Sequence, residues 1–249
     1  MYDSLPRIVA IETSGRHGSV AVGRGPDLLA SRELPASMRH AIELMPAIRE
    51  LTAAQGWTPD QIDHVYLSLG PGSFTGLRIA VAIARALAQA AGCKLVGVPS
   101  LDVIAQNAPA EFRIVLPILD AKRGQVFSAR YERDEHGVLL RTRQPALVDP
   151  AAFVADAVAR AQEIAATPVA VLGEGVNHHR PALFSEKTAG RVAELDHALW
   201  PGQAAIVHRL GYARALANQF DSPATLLPLY IRLPEAEEVF RKKHGLPLE

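Results

Sequence analysis

The sequence predicts an α/β protein of two similar lobes, each a βββαβα unit. Two observations carry this. The run of strand-like and helix-like stretches restarts after Asn107-Ala108-Pro109-Ala110, and in both copies the first strand ends in an acid, Glu12 in one and Asp120 in the other. The predicted boundaries are 1–107 for the first lobe, 108–225 for the second, and 226–249 for a charged, proline-studded tail.

Taken in order, Arg7 to Ser14 reads as a strand, Gly18 to Val22 as a second, and Leu28 to Ala30 as a third after the Gly25-Pro26-Asp27 turn, which together make a meander. Ser37 is placed to cap a helix through Leu51, with Ala41, Leu44, Met45, Ile48 and Leu51 inward and Pro46 as a bend. His64 to Leu69 is a short apolar strand, Leu77 to Ala91 a long helix, Lys94 to Val98 a strand, and Ser100 opens a short helix to about Asn107. The second copy has strands at Arg113–Asp120, Gln125–Glu132 and near Val138–Leu140. It continues with a helix opened by Asp149-Pro150, a strand at Val169–Gly173 and a short helix after Gly175. Gln203 to Gln219 is a last long helix, free to pack back on the first lobe.

The organising stretch is Gly70-Pro71-Gly72-Ser73-Phe74-Thr75-Gly76-Leu77-Arg78, between a buried strand and that long helix. Its glycines permit close backbone approach, and Ser73 or Thr75 can cap the helix. Backbone N–H groups and a helix N-terminus facing one volume suit an anion. A tight turn that packs two elements together explains the same residues. No lysine completes a Walker loop, the glycines are too wide for a dinucleotide fingerprint, and Ser73 lacks the glycines of a nucleophile elbow. The helix that follows is apolar nearly all round, with Arg78, Arg85 and Gln89 on one narrow stripe. Such a helix needs cover on most sides, from its own subunit or from a second chain.

Glu12 and Asp120 would face one cleft between the lobes. Paired hairpins that aim acids at a nucleotide and its metal characterise the actin, sugar kinase and Hsp70 (ASKHA) architecture; two acids that only cap turns are the plainer alternative. The nucleotide-cleft residues are then Glu12, Thr13, Ser14, Gly70, Gly72, Ser73, Asp120, Gly173 and Gly175. The 249 residues are 49% hydrophobic and 21% charged, and 26 Lys+Arg balance 26 Asp+Glu. No net field draws the chain to nucleic acid, so any tRNA contact is expected to be indirect. The single cysteine, Cys93, excludes an internal disulfide and suits a reducing, cytoplasmic setting; no membrane span is expected.

At Ile11–Ser14, Gly70–Arg78, Asp120–Phe127 and Pro228-Leu229-Tyr230-Ile231-Arg232 the chain resembles the TsaB (YeaZ) family. The resemblance implies an actin-like fold and a part in synthesis of threonylcarbamoyladenosine at position 37 of tRNAs reading ANN codons. It implies a non-catalytic scaffold that pairs with its paralogue TsaD, and with the ATPase TsaE near that junction, or with itself as a homodimer. The expected partner face is Phe74, Thr75, Leu77, Arg78, Val81 and Arg85 on one helix, with Ile42, Met45 and Arg49 on another. A charge at Leu77 or Ile83 is expected to break pairing and spare the fold. TsaD carries two metal-binding histidines on the helix after its Gly-Val strand; here Ser100 and Ile104 stand there, so no metal is expected. No cofactor is implied, beyond weak ATP or ADP binding. The alternative function is a nucleotide-dependent kinase or hydrolase, and behind it a metallopeptidase.

Overall fold

In the computed structural model, which describes residues 5–34, 40–166, 168–232, 240–241 and 243–245, one sheet topology occurs twice. The first sheet has β1 (Arg7–Glu12), β2 (Gly18–Arg24), β3 (Asp27–Leu34), β4 (His64–Gly70) and β5 (Lys94–Pro99), in the order β3-β2-β1-β4-β5. The meander is antiparallel, while β4 and β5 run parallel to β1. The second sheet repeats this with β6 (Ile114–Asp120), β7 (Val126–Arg133), β8 (Leu139–Val148), β9 (Val169–Leu172) and β10 (Val192–Glu194), in the order β10-β9-β6-β7-β8. This is the duplicated actin-like fold that the sequence predicts.

Alternation along β1 explains why both sides of the first sheet are covered. Val9 and Ile11 pack under α1 (His40–Ala54) and α2 (Phe74–Ala91), whereas Ile8 and Ala10 pack with Ala204 and Val207 of α6 (Ala204–Leu216). The last long helix thus lies on the first sheet. The second lobe's core is built from β6, β7 and β9 with α4 (Pro150–Glu163) and α5 (Val176–Leu183). The sequence places α3 (Ser100–Ala105) at the end of the first lobe, but it sends Leu101, Ile104 and Ala105 into the second lobe's core while Val103 packs in the first lobe.

Several expectations are corrected. Met45 is exposed, not inward, because the buried stripe of α1 runs Leu44, Ala47, Ile48, Leu51 and Met45 falls one position off it. The Ser37 cap lies outside the described residues. β8 is far longer than Val138–Leu140 suggested: its middle is exposed and charged, so pairing with β7 makes the strand and no apolar signal marks it. β10 is a three-residue edge strand, too short to leave a pattern. Finally, α2 is, among the described residues, the one helix long and apolar enough to cross a membrane, with 18 residues and a mean hydropathy of 1.3. Its Gly76, Leu77, Ala80, Val81, Ala84, Leu87 and Ala88 are buried within the first lobe.

Candidate functional site

The glycine turn is built against the end of β1. Ser73 N donates to the Ser14 carbonyl at 2.7 Å, and Thr13 Oγ1 donates to the Gly76 carbonyl at 2.9 Å. A Cβ on Gly72 would lie 2.3 Å from Ser14 O, and one on Gly76 would lie 2.0 Å from Thr13 O. Glycine is required there because two backbones touch. Ser73 Oγ caps α2 by accepting from Gly76 N at 3.3 Å. Gly70 N is taken by Ser100 Oγ at 2.9 Å. The amides of Gly70, Ser73 and Gly76 therefore serve the fold, and Arg78 is turned toward Tyr230.

A cleft of about 490 Å³ does lie between the lobes, and Ser14, Gly72, Ser73 and Asp120 reach its wall. Glu12, Thr13, Gly70, Gly173 and Gly175 do not. Glu12 and Thr13 are wholly buried, and Gly173 and Gly175 are packed against the backbone of Ile118 to Asp120. Glu12 Oε1 accepts from Ser14 N at 2.6 Å, whereas Oε2 is buried with no hydrogen-bond partner. Gly202 sits directly over this carboxyl, close enough that a Cβ there would lie 2.9 Å from Oε2. Burial pushes the Glu12 carboxyl above the ordinary range, against the hydrogen bond from Ser14.

Asp120 is the opposite case. Burial alone would raise it, but hydrogen bonds from Lys122 and His179 prevail and hold it at about 2. Lys122 Nζ lies 2.8 Å from Oδ2 and His179 Nε2 lies 3.1 Å from Oδ1. Of the two acids expected to face metal and nucleotide, one is sealed beneath Gly202 and the other is already engaged by Lys122 and His179. Among the described residues no three His, Cys, Asp or Glu side chains gather as a metal site. The donor set does not fit a metal–nucleotide centre held by paired acids.

The Glu12 carboxyl allows a direct check. Its folded pKa is raised, so its contribution is favourable below the unfolded value of about 4.3 and is lost as pH rises. Glu12→Gln, which carries no ionisation penalty, is expected to stabilise the chain at pH 7 by about 1 kcal/mol. The gain should vanish at pH 4, read by thermal melts at both values. A destabilised variant at pH 7 would mean that the ionised carboxylate is needed.

The second surface is the outer side of α1 and α2. Phe74 is 40% exposed, Ile42 70% and Met45 36%, and Thr75, Arg78, Arg85 and Arg49 are also exposed. Leu77 and Val81, expected on this face, are 1% and 6% exposed and belong to the chain's own core, so a charge at Leu77 would unfold the lobe. The helical period accounts for this, since both fall on the stripe of Ala80, Ala84 and Ala88 that packs inward.

Sequence reasoning missed the course of the segment after α6. Asp221 N donates to the Leu95 carbonyl at 2.8 Å, and Leu229 N donates to the Leu69 carbonyl at 2.7 Å. Tyr230 accepts from Arg78 Nε at 3.0 Å and its ring lies 5.5 Å from that of Phe74. Arg232 then reaches the second lobe, donating to the Ala121 carbonyl and to Gln125 Oε1. The motif Pro228–Arg232 thus straps the end of β4 and the start of α2 to the β6–β7 turn. Its spacing in sequence carries no sign of this.

Comparison with known proteins agrees with this architecture. The chain is 29% identical over 234 residues to the tRNA threonylcarbamoyladenosine biosynthesis protein TsaB of Bacillus subtilis, covering 92% of this chain and 96% of that one. It is 34% identical over 146 residues to the Escherichia coli protein of the same name, covering 58% and 63%. The solved structure of YeaZ from Pseudomonas aeruginosa superposes with a TM-score of 0.72 at 23% identity, covering 91% of this chain and all of that one. The family model for TsaD, tRNA N6-adenosine threonylcarbamoyltransferase, matches residues 34–239. The chain belongs to this family, as a TsaB (YeaZ) member. Within it, Ser100 is wholly buried and bonded to Gly70 N, and Ile104 is 3% exposed in the second lobe's core.

Proposed function

We propose that this TsaB-family chain is a non-catalytic subunit that binds TsaD through the outer face of α1 and α2, with TsaE at or near that junction. Family membership assigns it to threonylcarbamoyladenosine synthesis in tRNA. The observation that carries the finer reading is the exposure of Ile42, Met45 and Phe74 on two neighbouring helices. Exposed apolar side chains grouped on one face mark a docking surface. The cleft, by contrast, has spent its acids on Lys122, His179 and burial. Its residues act through contact, and tRNA is held by the assembled complex, since the chain's own net charge is zero. Without TsaD, the same face is where two copies would meet. The kinase or hydrolase alternative needs a cleft able to hold a nucleotide and its metal. The test is reconstitution with purified TsaD, TsaE, tRNA and the carbamoyl-adenylate donor. Modification is expected to require this chain, and the chain alone is expected to leave MgATP unchanged. Tight MgATP binding with turnover by the isolated chain would overturn the reading.

A further inference from the structure

We propose that Pro228–Arg232 is a latch that couples the first turn of α2 to the wall of the cleft, so that what sits on Phe74 and Arg78 is transmitted to the β6–β7 turn. The coupling stands on the strap's own contacts. It rests on the partner-subunit reading above only for what sets the latch.

The far end of the strap holds a strained turn. Lys122 and Arg123 lie in the left-handed region, with φ of 62° and 55°, and Gly124 follows at 75°. A long side chain is disfavoured there, and such a conformation persists only where its surroundings over-determine it. Arg232 supplies that constraint. One arm of its guanidinium donates to the Ala121 carbonyl and the other to Gln125 Oε1, so a single fork brackets the three left-handed residues from both sides. Inside the bracket, Ala121 N donates to the Gln125 carbonyl at 3.0 Å and Lys122 N to Asp120 Oδ1 at 3.0 Å. Asp120 and Lys122 line the cleft, so the state of this turn is the state of the cleft wall.

The near end of the strap is fixed to the first lobe. Leu226 is buried in that lobe's core, and Leu229 N donates to the Leu69 carbonyl at 2.7 Å. The Leu229 carbonyl oxygen occupies space that a Cβ on Gly70 would enter, at 2.9 Å. Tyr230 then accepts from Arg78 Nε at 3.0 Å, and the Arg78 guanidinium lies 3.8 Å from the Phe74 ring centroid. Ile231 alone separates Tyr230 from Arg232, a link too short to absorb a movement of the tyrosine. A partner that closes on Phe74 and Arg78 therefore moves or fixes Tyr230 and, through it, the fork on the turn. The turn, clasped or relaxed, is the two-state element that both sites bias.

The experiment follows amide hydrogen exchange at residues 121–125 of the full chain by NMR. Arg232→Met keeps the aliphatic stem and removes the fork, and exchange there is expected to quicken about tenfold or more. Arg232→Lys, which keeps the charge without the fork, should fall between that variant and the parent, and serves if Arg232→Met does not fold. Arg123→Gly, free to adopt the left-handed turn, is expected to restore most of the protection in the Arg232→Met or Arg232→Lys background. Tyr230→Phe removes only the hydroxyl that Arg78 holds. It is expected to quicken exchange at the turn about threefold, and to add nothing in the Arg232→Met or Arg232→Lys background. Binding of TsaD to the parent is expected to shift exchange at the turn by about threefold or more, and Arg232→Met to erase that shift. The inference is overturned by unchanged exchange in both Arg232 variants, by no rescue from Arg123→Gly, by a Tyr230→Phe effect that is absent or survives without the fork, or by bound TsaD that leaves the turn as it was. A chain that does not bind TsaD would overturn the subunit reading instead, and the comparisons within the isolated chain would still decide the latch.

Discussion

Gly76→Ala is expected to cost about 3 kcal/mol of stability, enough to lower the melting temperature by roughly 10 °C for a chain of this size. The added Cβ would stand 2.0 Å from the Thr13 carbonyl oxygen, which belongs to backbone and has no rotamer to relieve the clash. Either β1 or the first turn of α2 must move. Moving either one breaks the bonds Thr13 Oγ1 to Gly76 O and Ser73 N to Ser14 O, which close the first lobe at its organising turn. The control is Gly15→Ala, one turn away, where the nearest atom to the new Cβ is at 3.8 Å. That change should shift stability by no more than about 0.5 kcal/mol. Thermal unfolding followed by circular dichroism reads both. Equal melting temperatures for the two variants would show that the glycine turn is not packed on the first hairpin.

The same turn shows how far the sequence could be read. Strand, glycines, cap and helix were all visible locally, as was the repeat that doubles the sheet. The choice between an anion cradle and a packing turn was not visible, because it is made by Thr13 and Ser14, far away along the chain. Pairing across the fold likewise decided Asp120, whose partner His179 comes from α5. Arg232 meets Ala121 and Gln125 only once both lobes are in place. On α2 the stripe of Arg78, Arg85 and Gln89 marks the side away from the sheet, but nearly every other position is small or aliphatic, so composition does not say how far round the helix the buried stripe extends. Leu77 and Val81, at the edge of that stripe, are buried against the lobe's own core. Met45 differs: the helical period of α1 is clear, and Met45 stands one residue beyond its buried stripe.

Ala82→Glu is expected to abolish TsaD binding, by a factor of about 100 or more, and to leave the chain as stable as the parent. Ala82 lies exposed at the middle of the outer face of α2 and touches none of the buried stripe. A glutamate there keeps helix propensity high and finds Arg78 four residues before it and Arg85 three after it. Stability should change by no more than about 0.5 kcal/mol, and in the favourable direction. Across the proposed interface the same side chain fills the space that a small residue leaves open and brings a charge into a contact centred on apolar side chains. Leu77→Asp makes the contrast: it also prevents binding, but by unfolding the lobe whose core it enters.

The most direct measurement is therefore calorimetric titration of TsaD into the folded Ala82→Glu chain beside the parent, with melting curves taken on the same preparations. A parent that binds and a variant that melts normally yet gives no binding heat is the predicted result. Equal affinity in the two chains would place the partner elsewhere on the molecule and contradict the account.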